Sequence, residues 1–350
     1  MSRTNVTRIL WAVAAVVVVC TSTSVAGGQA QPGVPGRLGD YIRTHVKLTS
    51  AAQARLLQGQ PVTQLLDDAD PSREVSVFGA VWVKAPIARY VAAVRDIEQM
   101  EKGDAFLVTK RISRPPRLED FNQLTLPEED FSDLKTCRLG SCEVKISEGG
   151  LARLHKEIDW SKPTAKADVD RLVRTLAVEY VNGYLEGGND QLAAYRDSER
   201  PTFIAKEFAS MIDRMPSLTE YLPDLKEYLL GFPKTTLPMS ESFLYWQNVR
   251  FGLKPTIRIN HLTIVEQQPN VAVVSKMLFA SHYFWTAIEL RVLVPDPARG
   301  QGFWFANVNR SRSDGLSGFV GRLIRGKVRG EAEKGMQAAL EATKASLERP

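Results

Sequence analysis

Histidine and cysteine are scarce in this chain of 350 residues, with four of the first and three of the second. His45, His155, His261 and His282 stand apart, with no HExxH and no close pair. That excludes the common zinc-hydrolase patterns, and neither a metal nor another cofactor is expected. No GxSxG elbow is present. Ser281 and His282 are sequence neighbours, but adjacent strand residues point to opposite faces, so they make no nucleophile–base pair. The cysteines form neither CxxC nor CxxCH, which excludes thioredoxin-like and c-type haem motifs. Charge of one sign is also lacking. Lys and Arg number 45 against 40 Asp and Glu, interspersed, for a net +5. With no polybasic tract and no aromatic–basic stripe, nucleic acid is excluded as a partner. The N-terminal apolar run, Ile9–Val19, is eleven residues long, too short to span a bilayer comfortably.

That run follows Arg3 and Arg8 and precedes Ser24-Val25-Ala26 and Gly28-Gln29-Ala30. A positive n-region, a short apolar core and small residues read as a secretory leader over 1–30, and hence as export to the periplasm or beyond. Lipidation at Cys20 is the weaker alternative, because Val19 is bulkier than the residue such processing favours. Cys137 and Cys142 frame Arg-Leu-Gly-Ser. In an oxidising compartment this spacing is expected to close a disulfide across a turn, worth roughly 2 kcal/mol for so short a loop. A redox-active pair is the less favoured reading.

Residues 31–72 read as a polar linker with one short helix, Leu48 to Leu57, capped by Thr49 or Ser50. Glu74 to Lys84 alternates as a strand. Ile87 to Lys102 repeats apolar residues at helical spacing, and Ala105 to Ser113 returns as a strand. Leu118 to Leu134 is acidic and loop-like, and Glu143 to Ile146 suggests a short strand. Residues 148–240 are mainly helical, with a stripe from Leu172 to Leu185, and read as a helical insertion packed on the sheet. Four strands follow: Phe243 to Leu253, Thr256 to Glu266, Val271 to Ala280 and Tyr283 to Val294. The turn between the second and third is Pro269-Asn270. Gly302 to Arg312 is a last strand. A long helix then carries Leu316, Phe319, Val320, Leu323, Ile324, Val328, Met336, Leu340 and Leu347 on one stripe. Its glycines, Gly315, Gly318, Gly321, Gly326, Gly330 and Gly335, suggest either close approach to a sheet or ligand, or a bent first half.

Strand, KAPIARYVAAVRDIEQMEKG, strand, an antiparallel run and a long final helix resemble the START and polyketide-cyclase-like (SRPBCC) superfamily. There an Ala-Pro leads from the first strand into a helix ending near an Asp, here Asp96. The resemblance spans Arg73–Ser113 and Phe243–Glu348. It implies an α+β helix-grip fold, a curved antiparallel sheet gripping the C-terminal helix, in one domain over 73–348. It also implies a cavity between sheet and helix for a hydrophobic, lipid-like molecule, and a membrane surface is a further candidate partner. No catalytic motif is shared across that superfamily, so no catalytic residue is carried over.

The ligand-lining candidates are His261, Met277, Phe279, Phe284, Thr286 and Ile288 on the strands, with Phe319 and Leu323 on the helix. A lone histidine on an apolar face is more often a hydrogen-bonded core residue. Glu289, Arg291, Arg310 and Arg312 on neighbouring strands could bind an anionic head group, but solvent-face ion pairs are the favoured reading. Tyr245, Trp246, Tyr283, Phe284, Trp285, Phe303, Trp304 and Phe305 give more ring surface than a one-sided sheet needs. The leading expectation is a non-catalytic carrier of an apolar ligand. The alternatives are a cyclase- or hydrolase-type enzyme using His261 or Glu289, and an envelope scaffold with a filled core.

Overall fold

The computed structural model describes residues 33–67, 70–252, 254–316 and 318–349, and for 318–320 and 322 the backbone only. The leader and Cys20 lie outside the described residues. The chain opens with α1 (Gly36–Tyr41), a π-helical turn (Ile42–Val46), α2 (Ser50–Leu57) and an edge strand, β1 (Val62–Leu65). Thr49 caps α2, its hydroxyl accepting from Ala52 N at 3.2 Å. The expected linker is therefore ordered: Tyr41, Ile42 and Val46 are buried in the core. The long strand β2 (Glu74–Val83) leads through Ala85-Pro86 into α3 (Ile87–Arg95) and α4 (Ile97–Met100), which break at Asp96. β3 (Phe106–Ile112) follows.

α5 (Glu128–Thr136) precedes the insertion, which comprises α6 (Glu148–Glu157), α7 (Ala165–Gly187), the two-residue strands β4 (Ala194–Tyr195) and β5 (Thr202–Phe203), α8 (Ile204–Ile212), α9 (Pro216–Thr219) and α10 (Pro223–Gly231). α5 stands where a loop is expected. Its acidic first turn, Glu128 to Asp130, suits a helix N-terminus. Glu143–Ile146 is irregular rather than a strand. Cys137 and Cys142 form the expected disulfide, with Cα atoms 4.7 Å apart. Four long strands then meander: β6 (Ser240–Phe251), β7 (Lys254–Gln267), β8 (Asn270–Ala280) and β9 (Phe284–Pro295). β10 (Phe303–Ser313) and α11 (Gly318–Leu347) complete the chain.

All but β4 and β5 form one sheet of eight strands, in the order β1-β2-β10-β9-β8-β7-β6-β3, and every pairing is antiparallel. The first long strand thus lies beside the last, while α3 and α4 carry the chain across to the far edge. Both faces are covered, which is why β2 is buried along its whole length. Phe78, Trp82, Trp246, Ile259 and Trp304 belong to the core on the face covered by the insertion and the N-terminal helices, where Phe78 meets Tyr41 and Arg299 lies over Trp82 and Trp304. Val81, Tyr245, Phe303 and Phe305 turn to α3 and α11. Of the rings noted in the sequence, Tyr245, Trp246, Phe303, Trp304 and Phe305 serve these two cores, while Tyr283, Phe284 and Trp285 are half-buried outside them.

α11 lies over β1 and β2. Met336, Leu340 and Leu347 are buried in the seam, and Glu348 Oε1 accepts from Lys84 N at 2.7 Å. The close approach comes from the sheet side. A Cβ on Gly79 would sit 2.7 Å from Met336 Cγ and 2.8 Å from Leu340 Cδ1, whereas Gly326, Gly330 and Gly335 face open space.

Candidate functional site

On the insertion face of the sheet lies a cavity of about 540 Å³. Its floor is Ile257, Ile259 and Phe279, and its walls are Val173, Leu176, Ala177 and Tyr180 of α7 with Leu134 and Val144. Helical spacing on α7 aims Val173, Leu176, Ala177 and Tyr180 the same way. Polar groups sit at its rim, where Arg153 Nη1 of α6 meets Glu179 Oε2 of α7 at 2.7 Å. A smaller apolar cavity, about 350 Å³, lies elsewhere on this face among Tyr41, Phe78, Leu290 and Val292.

Of the expected ligand residues, Phe279 lines the larger cavity. His261, Thr286 and Ile288 share its face of the sheet but do not line it. Lys276 stands between His261 and Ile288 in register. Thr286 is paired across the strands with Arg312, and its buried hydroxyl has no partner among the described residues. Met277 pairs with Asn260 and so faces the opposite side. Phe284 packs on Phe251 at the sheet's end, with centroids 4.6 Å apart. Leu323 is 69% exposed, and the side chain of Phe319 lies outside the described residues. The expected set therefore does not converge on one space.

His261 belongs to a buried polar cluster that sequence reading saw only in part. Its Nδ1 meets the Tyr184 hydroxyl at 2.9 Å, while Nε2 has no partner among the described residues. Burial, with Lys276 nearby, pushes its pKa down to about 3, which unfits it as a base at neutral pH. Lys276 Nζ bonds Asn189 Oδ1 and lies over the Phe208 ring at 4.5 Å. Burial brings its pKa down to about 7. The missed signal was a lysine inside the apolar run Val-Val-Ser-Lys-Met-Leu-Phe, where a solvent-facing position is hard to provide. His282 is a packing residue: its Nε2 faces Asp130 Oδ2 at 2.9 Å and its Nδ1 faces the Glu143 carbonyl at 3.1 Å. Both ring nitrogens are occupied, so neither is free to act on Ser281.

The four strand charges are ion-paired as expected, but not at the solvent face. Arg310 and Arg312 are buried on the insertion face, both holding Glu74. Glu289 and Arg291 pair on the other face. There they join a polar floor under α3 and α4. Asn307 Nδ2 donates to Glu289 Oε1 at 2.8 Å, Arg258 Nη2 to Gln247 Oε1 at 2.9 Å, and Gln247 Nε2 to Glu101. Burial pushes Glu101 up to about 7, against the pull of Arg291 and Arg258. Tyr90 is driven to about 12, again chiefly by burial.

Among the described residues no group of acidic, histidine or cysteine side chains is placed to hold a metal, and no helix is long and apolar enough to cross a membrane. No protein-family profile matches this chain, and no curated protein sequence does.

Proposed function

We propose that this chain is an exported carrier of a small apolar molecule, seated between the sheet and helices α5–α7. The observation that carries the reading is the 540 Å³ chamber with its aliphatic and aromatic lining. Ligand pockets run from roughly 300 to 1,000 Å³ and are mostly apolar with a few placed polar groups. Burial of ligand surface, at about 25 cal/mol per Å², supplies the affinity. The Arg153–Glu179 pair at the rim orients any polar end of the ligand.

Kinship with the START-like group is part of this proposal. A first strand hydrogen-bonded to the last, a helix pair leading to the far edge, and a long terminal helix are the order that a helix-grip fold requires. The disulfide supports export. The seat differs from the expected one: it lies on the face away from α11.

Native mass spectrometry of the purified full chain, followed by organic extraction, tests for a bound apolar mass. Titration with the neutral dye N-phenyl-1-naphthylamine then locates it. Ala177→Trp fills the chamber and is expected to reduce dye or ligand uptake at least tenfold, with the fold retained by circular dichroism. Unchanged uptake in that variant would remove the chamber from consideration, and an apo protein that takes up no apolar probe would favour the filled-core scaffold.

A further inference from the structure

The smaller cavity on the insertion face, about 350 Å³, is a different space from the chamber, and the two share no lining residue. Along β8, Ala272 belongs to the smaller cavity and Phe279 to the chamber, with buried Lys276 between them. Register explains why the sheet leaves room here. Ala272, Val292, Ala306 and Ala80 lie side by side across β8, β9, β10 and β2. Residues paired in this way project to one face. The flanking rows are bulkier: Leu290, Val308 and Phe78 on one side, Val294, Trp304 and Trp82 on the other. A row of small side chains between two taller rows makes a trough.

The trough is roofed. Leu38 and Tyr41 of α1, Ser217 of α9 and Tyr221 just after it complete the lining. The two roof pieces are joined. Arg37 Nη2 donates to the Glu220 carbonyl at 3.0 Å, His45 Nε2 meets Glu220 Oε2 at 3.0 Å, and the Tyr41 and Tyr221 rings pack edge-on with centroids 5.4 Å apart. Ser217 is 7% exposed, and its Oγ has no hydrogen-bond partner among the described residues. Buried polar atoms are almost always paired, so this hydroxyl is open to a ligand.

We infer that this cavity is a second binding site, for a flat, neutral molecule of one or two rings bearing a single hydroxyl or carbonyl. The rings lie in the trough over Ala272 and Ala306, and the oxygen meets Ser217. The volume sits at the lower end of the roughly 300–1,000 Å³ of ligand pockets, which keeps the ligand small. A serine hydroxyl turns among three staggered positions and both donates and accepts, so it serves either oxygen. Neutrality follows from the floor. Its aliphatic side chains offer no donor or acceptor, and an unpaired charge over them is costly. Among the described lining residues no acidic side chain is present, and the one cation, Arg37, is exposed and already bonded to the Glu220 carbonyl. The site does not depend on the carrier reading, because no part of the chamber enters it.

The test is fluorescence titration of the full chain with 2-naphthol, with naphthalene and 2-naphthoate as comparisons. It is run on the unaltered protein and on Ala177→Trp, which blocks the chamber and leaves this cavity alone. Saturable 2-naphthol binding is expected in both, at least fivefold tighter than naphthalene, as one hydrogen bond supplies. Ser217→Ala is expected to bring 2-naphthol down to the naphthalene level with the melting temperature unchanged. Ala306→Leu fills the trough. It is expected to weaken both ligands at least tenfold and to hold or raise the melting temperature, because it occupies empty space.

The assignment is overturned if 2-naphthol binds neither protein, or if Ala177→Trp keeps its fold and loses 2-naphthol, which would seat the probe in the chamber. It is equally overturned if Ser217→Ala leaves the preference over naphthalene intact, or if 2-naphthoate binds more tightly than 2-naphthol, which would give recognition to Arg37. Should Ala177→Trp not fold, Ala306→Leu decides in the unaltered background. Binding undiminished there, or a melting temperature lowered by several degrees, would show that the trough is not the seat. Loss of N-phenyl-1-naphthylamine uptake in Ala177→Trp with 2-naphthol binding retained separates the two sites, so each stands or falls alone.

Discussion

Lys276 has no carboxylate among its described partners; the Asn189 amide oxygen, the Leu229 carbonyl, the Tyr184 phenol and the Phe208 ring surround it. Its folded pKa of about 7 lies below the ordinary 10.5. Between those values the unfolded chain holds a proton that the folded chain lacks, so stability rises with pH across that window, by up to about 1.4 kcal/mol per unit. His261 acts in the same sense lower down: its contribution is lost as pH falls from 6.5 toward about 3. Lys276→Met is expected to flatten the upper window. It is also expected to shrink the lower one, because the Lys276 charge is part of what depresses His261. Urea unfolding at pH steps from 4 to 10 measures both, and a slope unchanged above pH 7 would refute the neutral lysine. His261 was legible in the sequence as a histidine on an apolar strand face. Its hydrogen-bond partner was not, because Tyr184 comes from the insertion, 77 residues away in the chain, and spacing along β7 says nothing about it.

At the scale of elements, the seam between α11 and β2 depends on the absence of a side chain at Gly79. The contacting atoms, Met336 Cγ and Sδ and Leu340 Cδ1, lie within 3 Å of where a Cβ would stand. They belong to flexible side chains, so a lone methyl is accommodated by rotation. The two further carbons of valine are not, and Gly79→Val is expected to destabilise by about 1–3 kcal/mol through overpacking. Met336→Ala should recover part of that loss, and a double-mutant cycle in urea reads the coupling. Strict additivity would mean that Gly79 is not where the helix seats. The alternating strands and the long helices were readable from periodicity, since each buries a face whose repeat the sequence displays. What escaped is what tertiary contact creates. β1 is four residues long and forms because β2 offers an edge. α5 has four acidic residues among its nine and is held by burial of Asp130 against His282 and of Leu134 in the core. The glycines of α11 left a close approach and a bend both open, and the glycine that permits the close approach lies on the strand.

For the whole molecule, the insertion must be fastened to the sheet if the chamber between them is to keep its shape. Much of that fastening is ionic. Glu74 at the start of β2 accepts from Arg310 Nε at 2.9 Å and Arg312 Nε at 2.6 Å, with the paired side chains at or near zero exposure. The same guanidiniums reach into the insertion: Arg310 donates to the Arg214 carbonyl at 3.0 Å, and Arg312 to the Glu207 carbonyl and carboxylate at 2.9 and 2.8 Å. One carboxylate thus orients two arginines that close the exposed carbonyls of α8 and the turn after it. Such a network contributes little net stability when intact, because burying the charges offsets their attraction, but removing one member leaves uncompensated charge behind. Glu74→Gln keeps the shape and removes the charge, and is expected to destabilise by about 3–5 kcal/mol. Hydrogen exchange should show where: α8 amides lose protection, while β7 and β8 keep theirs until global unfolding. Replacing all three residues together, Glu74→Leu with Arg310→Met and Arg312→Met, is expected to return most of the stability, as burial of matched apolar groups needs no charge balance. If the single substitution costs under 1 kcal/mol, the clamp is not what holds the insertion, and the apolar contacts of Phe208, Met211 and Ile212 with the sheet suffice.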